Sequence, residues 1–253
     1  MLTWFRSVLF NIAFFGTTAA VAILSTPVLL APAHWTMPPI RFWAWLVVQE
    51  LRWICGIKLE VIGREHLPQS GPALIAAKHQ SALDTVVWLL LVPNCAYVLK
   101  QELLRIPFYG FLVAKVGMIS VDRSGGAAAM RHLLKAGRAA AAAGRQLVIF
   151  PEGTRVAPGE RVPYQPGIAA LAAATGLPVV PVATNSGVLW GRRAFLKRPG
   201  TIVISVLPPL PAGLPRPVLL ARLESLIEAE SDRLMAGQPV DNTVDDLAPR
   251  AAP

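Results

Sequence analysis

Of the four histidines in this 253-residue chain, only His79 has a carboxylate five positions later, Asp84, within "KHQSALDT". The aliphatic run "ALIAAK" (73–78) precedes the pair and a helix-like segment follows, so it straddles a strand end and a helix start. A carboxylate that accepts one imidazole N–H fixes the tautomer and leaves the other ring nitrogen free to take a proton. A histidine held for packing beside an aspartate capping a helix gives the same pattern. Ser81 lies between the two, but the chain has no Gly-x-Ser-x-Gly elbow, and neither Cys55 nor Cys95 has a histidine close in sequence. A base without a protein nucleophile suits direct activation of a hydroxyl brought by a substrate.

A second cluster, "FPEGTR" (150–155), ends the aliphatic run "QLVIF". A core strand needs none of these polar groups, and a solvent turn needs only the Pro and Gly. Lys100, Arg123 and Arg155 each stand at the end of a strand-like run and can pair with an anion such as phosphate, arginine offering a two-pronged fork. Taken singly, each is an ordinary solvated cation. The histidine and acid positions form no metal-ligand cluster, so no metal is expected.

The elements that must bring these groups together are readable as an alternation. Strands are predicted at 58–63, 73–78, 95–100, 117–122, 146–150, 178–183 and 201–207, and helices at 84–91, 107–116, 124–143 and 167–175. Ser124 is the expected N-cap and Gly144 the expected stop of the Ala-rich helix. Such alternation predicts an α/β domain with a single mostly parallel or mixed sheet flanked by helices. Ligands of these sheets gather at the carboxyl ends of strands, where Lys78-His79, Lys100, Asp122-Arg123 and 151–155 all fall.

Composition sets the surroundings. The chain is 54% hydrophobic and only 15% charged, and it carries a net charge of +9. Residues 1–200 hold 20 basic and 8 acidic side chains. That balance favours anionic partners, with nucleic acid the weakest because no reading motif interleaves basic and aromatic residues. The uncharged run from Val8 to Pro32 is about long enough to cross a bilayer as a helix, with Pro27 and Pro32 kinking or ending it. Arg6 and the "APA" at 31–33 resemble a signal peptide, but the run exceeds a usual apolar signal core, so a retained anchor is expected. "IRFWAWLVVQELRWIC" (40–55) fits either an interfacial helix or a core helix. The expected layout is a membrane anchor and interfacial helix over 1–55, an α/β domain over 56–236 ending in a helix at 216–235, and a poorly ordered tail over 237–253. The basic body favours the cytoplasmic face.

In order along the chain, "HQSALD" (79–84), "GMISVDR" (117–123), "FPEGTR" (150–155) and "VVPVA" (179–183) resemble the four blocks of the 1-acylglycerol-3-phosphate acyltransferases, also called lysophosphatidic acid acyltransferases. The resemblance implies transfer of a fatty acyl group from acyl-CoA or acyl-acyl-carrier-protein, as co-substrate and without a bound cofactor, to the sn-2 hydroxyl of lysophosphatidic acid at a phospholipid membrane. It implies His79 as the base and Asp84 as its orienting acid. It further implies Glu152 on the acceptor's glycerol, Arg155 on its phosphate with Lys100 and Arg123 nearby, and Gly153 and Thr154 in the acceptor-binding turn. Two departures touch acceptor selectivity: Lys78 stands where Asn is common, and Ser120-Val121 where an aromatic and Ile are frequent. Relatives acylating other lysolipids, including ornithine-containing ones, share these blocks. A lipid thioesterase using His79 to activate water, and a catalytically idle membrane-binding protein, are the rival classes.

Overall fold

The computed structural model describes residues 1–105, 109–122 and 124–237. Its strands are β1 Ile57–Ile62, β2 Ala73–Ala77, β3 Cys95–Lys100, β4 Ile119–Val121, β5 Gln146–Ile149, β6 Val179–Thr184 and β7 Gly200–Val206. Its α-helices are α1 Leu2–Leu24, α2 Met37–Glu50, α3 Leu83–Leu91, α4 Tyr109–Lys115, α5 Gly126–Ala142, α6 Gly167–Thr175, α7 Ser186–Leu189 and α8 Arg216–Met235. The expected helix at 107–116 lies partly, and the expected tail at 237–253 almost wholly, outside the described residues.

One sheet runs in the order β1-β7-β6-β2-β5-β3-β4. The five strands from β6 to β4 are parallel, and β7 pairs with β6 antiparallel while carrying β1 parallel to itself. The expected mostly parallel, mixed sheet is therefore observed. Alternation along the strands divides the core into two layers. Ile75, Ala77, Val148, Val180 and Val182 pack toward α2 and α3. Leu74, Ala76, Leu147, Ile149 and Ala183 pack toward α5, α6 and α8. Eight of the nine residues of α3 are buried, as a helix sandwiched between a sheet and α2 requires.

Two local expectations change. Ser124 does not cap α5; its N–H and hydroxyl donate to Asp122 Oδ1 at 2.9 and 2.6 Å, and the helix starts two residues later with Gly125 at the cap. The aspartate thus orients the hydroxyl, which does not accept from the free N–H groups of the first helical turn. The apolar run expected as one helix over 8–32 starts its α-helix earlier and ends at Leu24, with Pro27 opening a short 3-10 turn. Gly144, by contrast, adopts the left-handed conformation (φ 70°) just past α5, as a helix stop should.

α1 is long and apolar enough to cross a membrane, and little of it is buried. One stripe docks on the domain. Ser7 and Phe10 are buried, Lys197 N–H donates to Ser7 Oγ at 2.9 Å, and Phe14 meets Trp43 and Trp190. The opposite stripe, Phe5, Leu9, Ile12 and Ile23, is exposed at helical spacing. α2 and the turn after it put Ala44, Val47, Val48, Leu51 and Cys55 in the core, as the core-helix reading expects, and leave Phe42 and Trp53 exposed.

Candidate active site

β2, β5, β3 and β4 end at one edge of the sheet. Tyr97, Val148 and Ile75 are level in register, so three residues further on Lys100, Pro151 and Lys78 emerge at that same edge. β2 and β5 are neighbours, which brings the loops carrying His79 and Glu152 side by side.

His79 continues the Ile75–Ala77 face, toward α3. Its Nδ1 lies 3.2 Å from Asp84 Oδ2. The same oxygen accepts the N–H groups of Gln80 and Ser81, each at 2.7 Å. Asp84 sits in the first turn of α3, so it closes the strand-to-helix connection and orients the imidazole with one oxygen. Phe150, on the matching face of the β5 end, stacks on the ring with centroids 4.1 Å apart. The side chain of His79 is 12% exposed against 2% for Asp84, so the ring meets solvent at its margin while its partner is enclosed. With Nδ1 committed to the carboxylate, Nε2 is the nitrogen left to take a proton.

The "FPEGTR" segment is a tight turn. Gly153 N–H donates to Phe150 C=O at 2.9 Å, and Gly153 has φ 68°, which favours glycine there. Just past the turn, Val156 N–H donates to His79 C=O at 2.8 Å. Arg155 is half-buried, with its carbonyl taking a bond from Arg192 at 3.3 Å. Thr154 is half-buried and Lys100 exposed. Arg123 lies outside the described residues. The structure thus brings His79, Asp84 and the 150–155 turn into contact and sets Lys100 on the same edge.

Glu152 points inward. Its side chain is fully buried, its Oε2 accepts the His79 N–H at 2.8 Å, and Lys78 Nζ lies 2.7 Å from its Oε1. Lys78 faces the α8 side, opposite to His79, because neighbours on a strand point to opposite faces. There it donates to both oxygens of Glu228 on α8 at 2.7 and 2.8 Å, and Tyr164 donates to Glu228 Oε1 at 2.9 Å. Burial pushes the Glu152 carboxyl up to about 7, against the lowering pull of Lys78 and the His79 N–H, with Glu228 adding to the rise. Lys78 is a departure from the resembled pattern whose partners no local motif reveals, since Glu228 is 150 residues away. Its ammonium is buried between the carboxylates of Glu152 and Glu228.

Comparisons with known proteins find related sequences and a related fold. A family model described as Acyltransferase matches residues 58–185, the stretch from β1 through β6 that holds every described candidate residue. A 1-acyl-sn-glycerol-3-phosphate acyltransferase from Pseudomonas aeruginosa is 37% identical over 196 residues, covering 78% of this chain and 74% of that one. One from Limnanthes alba is 34% identical over 161 residues, covering 62% of this chain and 56% of that one. Among solved structures, a 1-acyl-sn-glycerophosphate (LPA) acyltransferase from Thermotoga maritima superposes with a TM-score of 0.72 over 92% of this chain and 98% of that one. At 21% identity, that likeness speaks for the fold.

Proposed function

The chain belongs to the acyltransferase family, and from that premise we propose that it moves a fatty acyl group from acyl-CoA or acyl-acyl-carrier-protein to the sn-2 hydroxyl of 1-acylglycerol-3-phosphate, giving phosphatidate. His79 Nε2 takes the hydroxyl proton as that oxygen attacks the thioester carbonyl. Asp84 holds the tautomer and balances the imidazolium that results. The tetrahedral intermediate collapses, the C–S bond breaks, and the thiol leaves with a proton returned from His79. Arg155, with Lys100 and Arg123, takes the phosphate, and Gly153 and Thr154 shape the turn beneath the acceptor. Residues 1–55 serve as the membrane-facing part and 56–236 as the catalytic unit, with the basic body on the cytoplasmic face, where it meets anionic phospholipid and the anionic donor.

The observation that carries this reading is the seating of the acceptor turn on the base. The "FPEGTR" segment contacts His79 through the Phe150 ring stack at 4.1 Å and through the Glu152 carboxylate, which accepts the His79 N–H at 2.8 Å. Transfer from labelled oleoyl-CoA, with acyl-carrier-protein thioester as the alternative donor, tests it on detergent-extracted protein. Lysophosphatidate, lysophosphatidylcholine and lyso-ornithine lipid compete as acceptors, and His79→Ala is run alongside. Labelled phosphatidate from wild type alone is the expected result. Transfer to another lysolipid reassigns the acceptor, and acceptor-independent release of fatty acid points to a thioesterase.

A further inference from the structure

The buried carboxylate of the acceptor turn has no surface left for a ligand. The Glu152 side chain is 0% exposed, one oxygen bound to the His79 main chain and the other in contact with Lys78. Lys78 is in turn clamped by both oxygens of Glu228, 150 residues away on α8. We propose that Glu152, Lys78 and Glu228 form a positioning relay that fixes the catalytic histidine from behind, and that Glu152 serves this relay and not the acceptor. The proposal rests on the reading of His79 as the base.

The geometry explains why the relay needs these three groups. His79 and Lys78 are consecutive, so a shift of the β2 end moves both, one on each face of the sheet. Asp84 and Phe150 hold the imidazole on the α3 face. Nothing in that pair fixes the peptide between Lys78 and His79, and Glu152 does so through the His79 N–H. A carboxylate buried at this point needs a counter-charge, and Lys78 supplies it from the adjacent residue. A single ammonium between two carboxylates then ties the turn to α8, where Tyr164 donates to Glu228 as well. Tyr164, Lys78, Glu228 and Glu152 thus form one buried cluster of alternating charge behind the histidine. α8, which carries none of the candidate catalytic residues, thereby becomes part of the support of the reaction centre.

A double-mutant cycle of Lys78→Met and Glu152→Gln, read as kcat and acceptor KM separately, tests the relay. In Glu152→Gln the amide N–H faces either the ammonium or the His79 N–H, and in Lys78→Met two carboxylates face each other. Each single change is expected to lower kcat about tenfold or more with acceptor KM held within about twofold. The double variant relieves both conflicts and is expected to lose at least about threefold less than the product of the singles. Glu228→Gln, which preserves shape and lies on α8 outside the 150–155 turn, is expected to lower kcat in the same manner while thermal unfolding confirms a folded protein. A raised acceptor KM in Glu152→Gln at unchanged kcat, additive with Lys78→Met, would overturn the relay in favour of direct acceptor binding. Diethyl pyrocarbonate modification mapped by mass spectrometry reads the ring without any acceptor. The rate at His79 is expected to change at least about threefold in Glu152→Gln and Glu228→Gln while exposed His132 stays constant, and equal rates at His79 would sink the relay. Failure of wild-type transfer therefore strikes the acceptor assignment, whereas the modification rates decide the relay.

Discussion

Asp84 directs a single oxygen at three donors: the His79 ring at 3.2 Å and the N–H groups of Gln80 and Ser81 at 2.7 Å each. An asparagine can keep the acceptor for the two main-chain groups but carries no charge to balance an imidazolium. Asp84→Asn is therefore expected to cut turnover by about 10³-fold or more with little change in melting temperature, and His79→Ala to lose at least as much. A melting temperature that falls in parallel with activity would make the aspartate a fold determinant instead. Glu152 gives a pH signature. Its carboxyl rises from 4.5 unfolded to about 7 folded, so between these values the native state holds a proton that the unfolded state has released. Its contribution to stability is complete below the unfolded value and is lost as pH rises toward 7. Denaturant midpoints measured from pH 4.5 to 7.5 should decline more steeply in wild type than in Glu152→Gln, and parallel curves would contradict the assignment.

The elements that place these residues were legible in very different degrees. β3 falls where the aliphatic run predicts it, and β2, β5, β6 and β7 fall within a residue or two, because buried parallel strands read as uninterrupted apolar runs. His79 and Asp84 were legible because a strand end and a helix start impose their spacing. Strand alternation also sends Lys78 and His79 to opposite faces, a constraint contained in the sequence. What no local pattern can supply is Glu228, since its meeting with Lys78 depends on α8 folding back over the sheet. The Ser124 cap failed for a local reason, as Asp122 two residues earlier takes its hydroxyl. The 150–155 turn depends on one backbone conformation, Gly153 at φ 68°. Gly153→Ala is expected to cost about 1 kcal/mol of stability and to weaken acceptor use more than that cost alone explains, since the turn is bonded to the His79 strand end. Unfolding midpoints beside acceptor KM measure the two effects separately.

At the scale of the whole molecule, the N-terminal helices and the sheet share a core. Ala44, Val47, Val48 and Leu51 of the α2 region pack in the same cluster as Ile75, Val148 and Ile204 of the sheet, and Phe10 of α1 joins them. Lys197 reaches across to Asn11 Oδ1 at 2.8 Å and lies among Phe10, Trp190 and Phe195, a cation enclosed by rings from both parts. Lys115 Nζ donates to the carbonyls of Val28, Leu29 and Ala31 at 2.6 to 2.7 Å, pinning the segment after α1 to α4. The exposed apolar stripe of α1 thus belongs to a helix packed on the same core that carries β2 and β5. Removing residues 1–55 uncovers several fully buried aliphatic positions, each worth about 1.5–3 kcal/mol when buried. Against a typical net stability of about 5–15 kcal/mol, that loss is decisive. A 56–236 fragment is expected to aggregate or to unfold without a cooperative transition, whereas a 37–236 fragment, which keeps α2, should fold in detergent yet bind anionic vesicles more weakly than the full chain. Sedimentation with phosphatidylglycerol vesicles and calorimetry on both fragments measure this directly. A cooperative, soluble 56–236 fragment would show that the catalytic unit stands without the α2 layer.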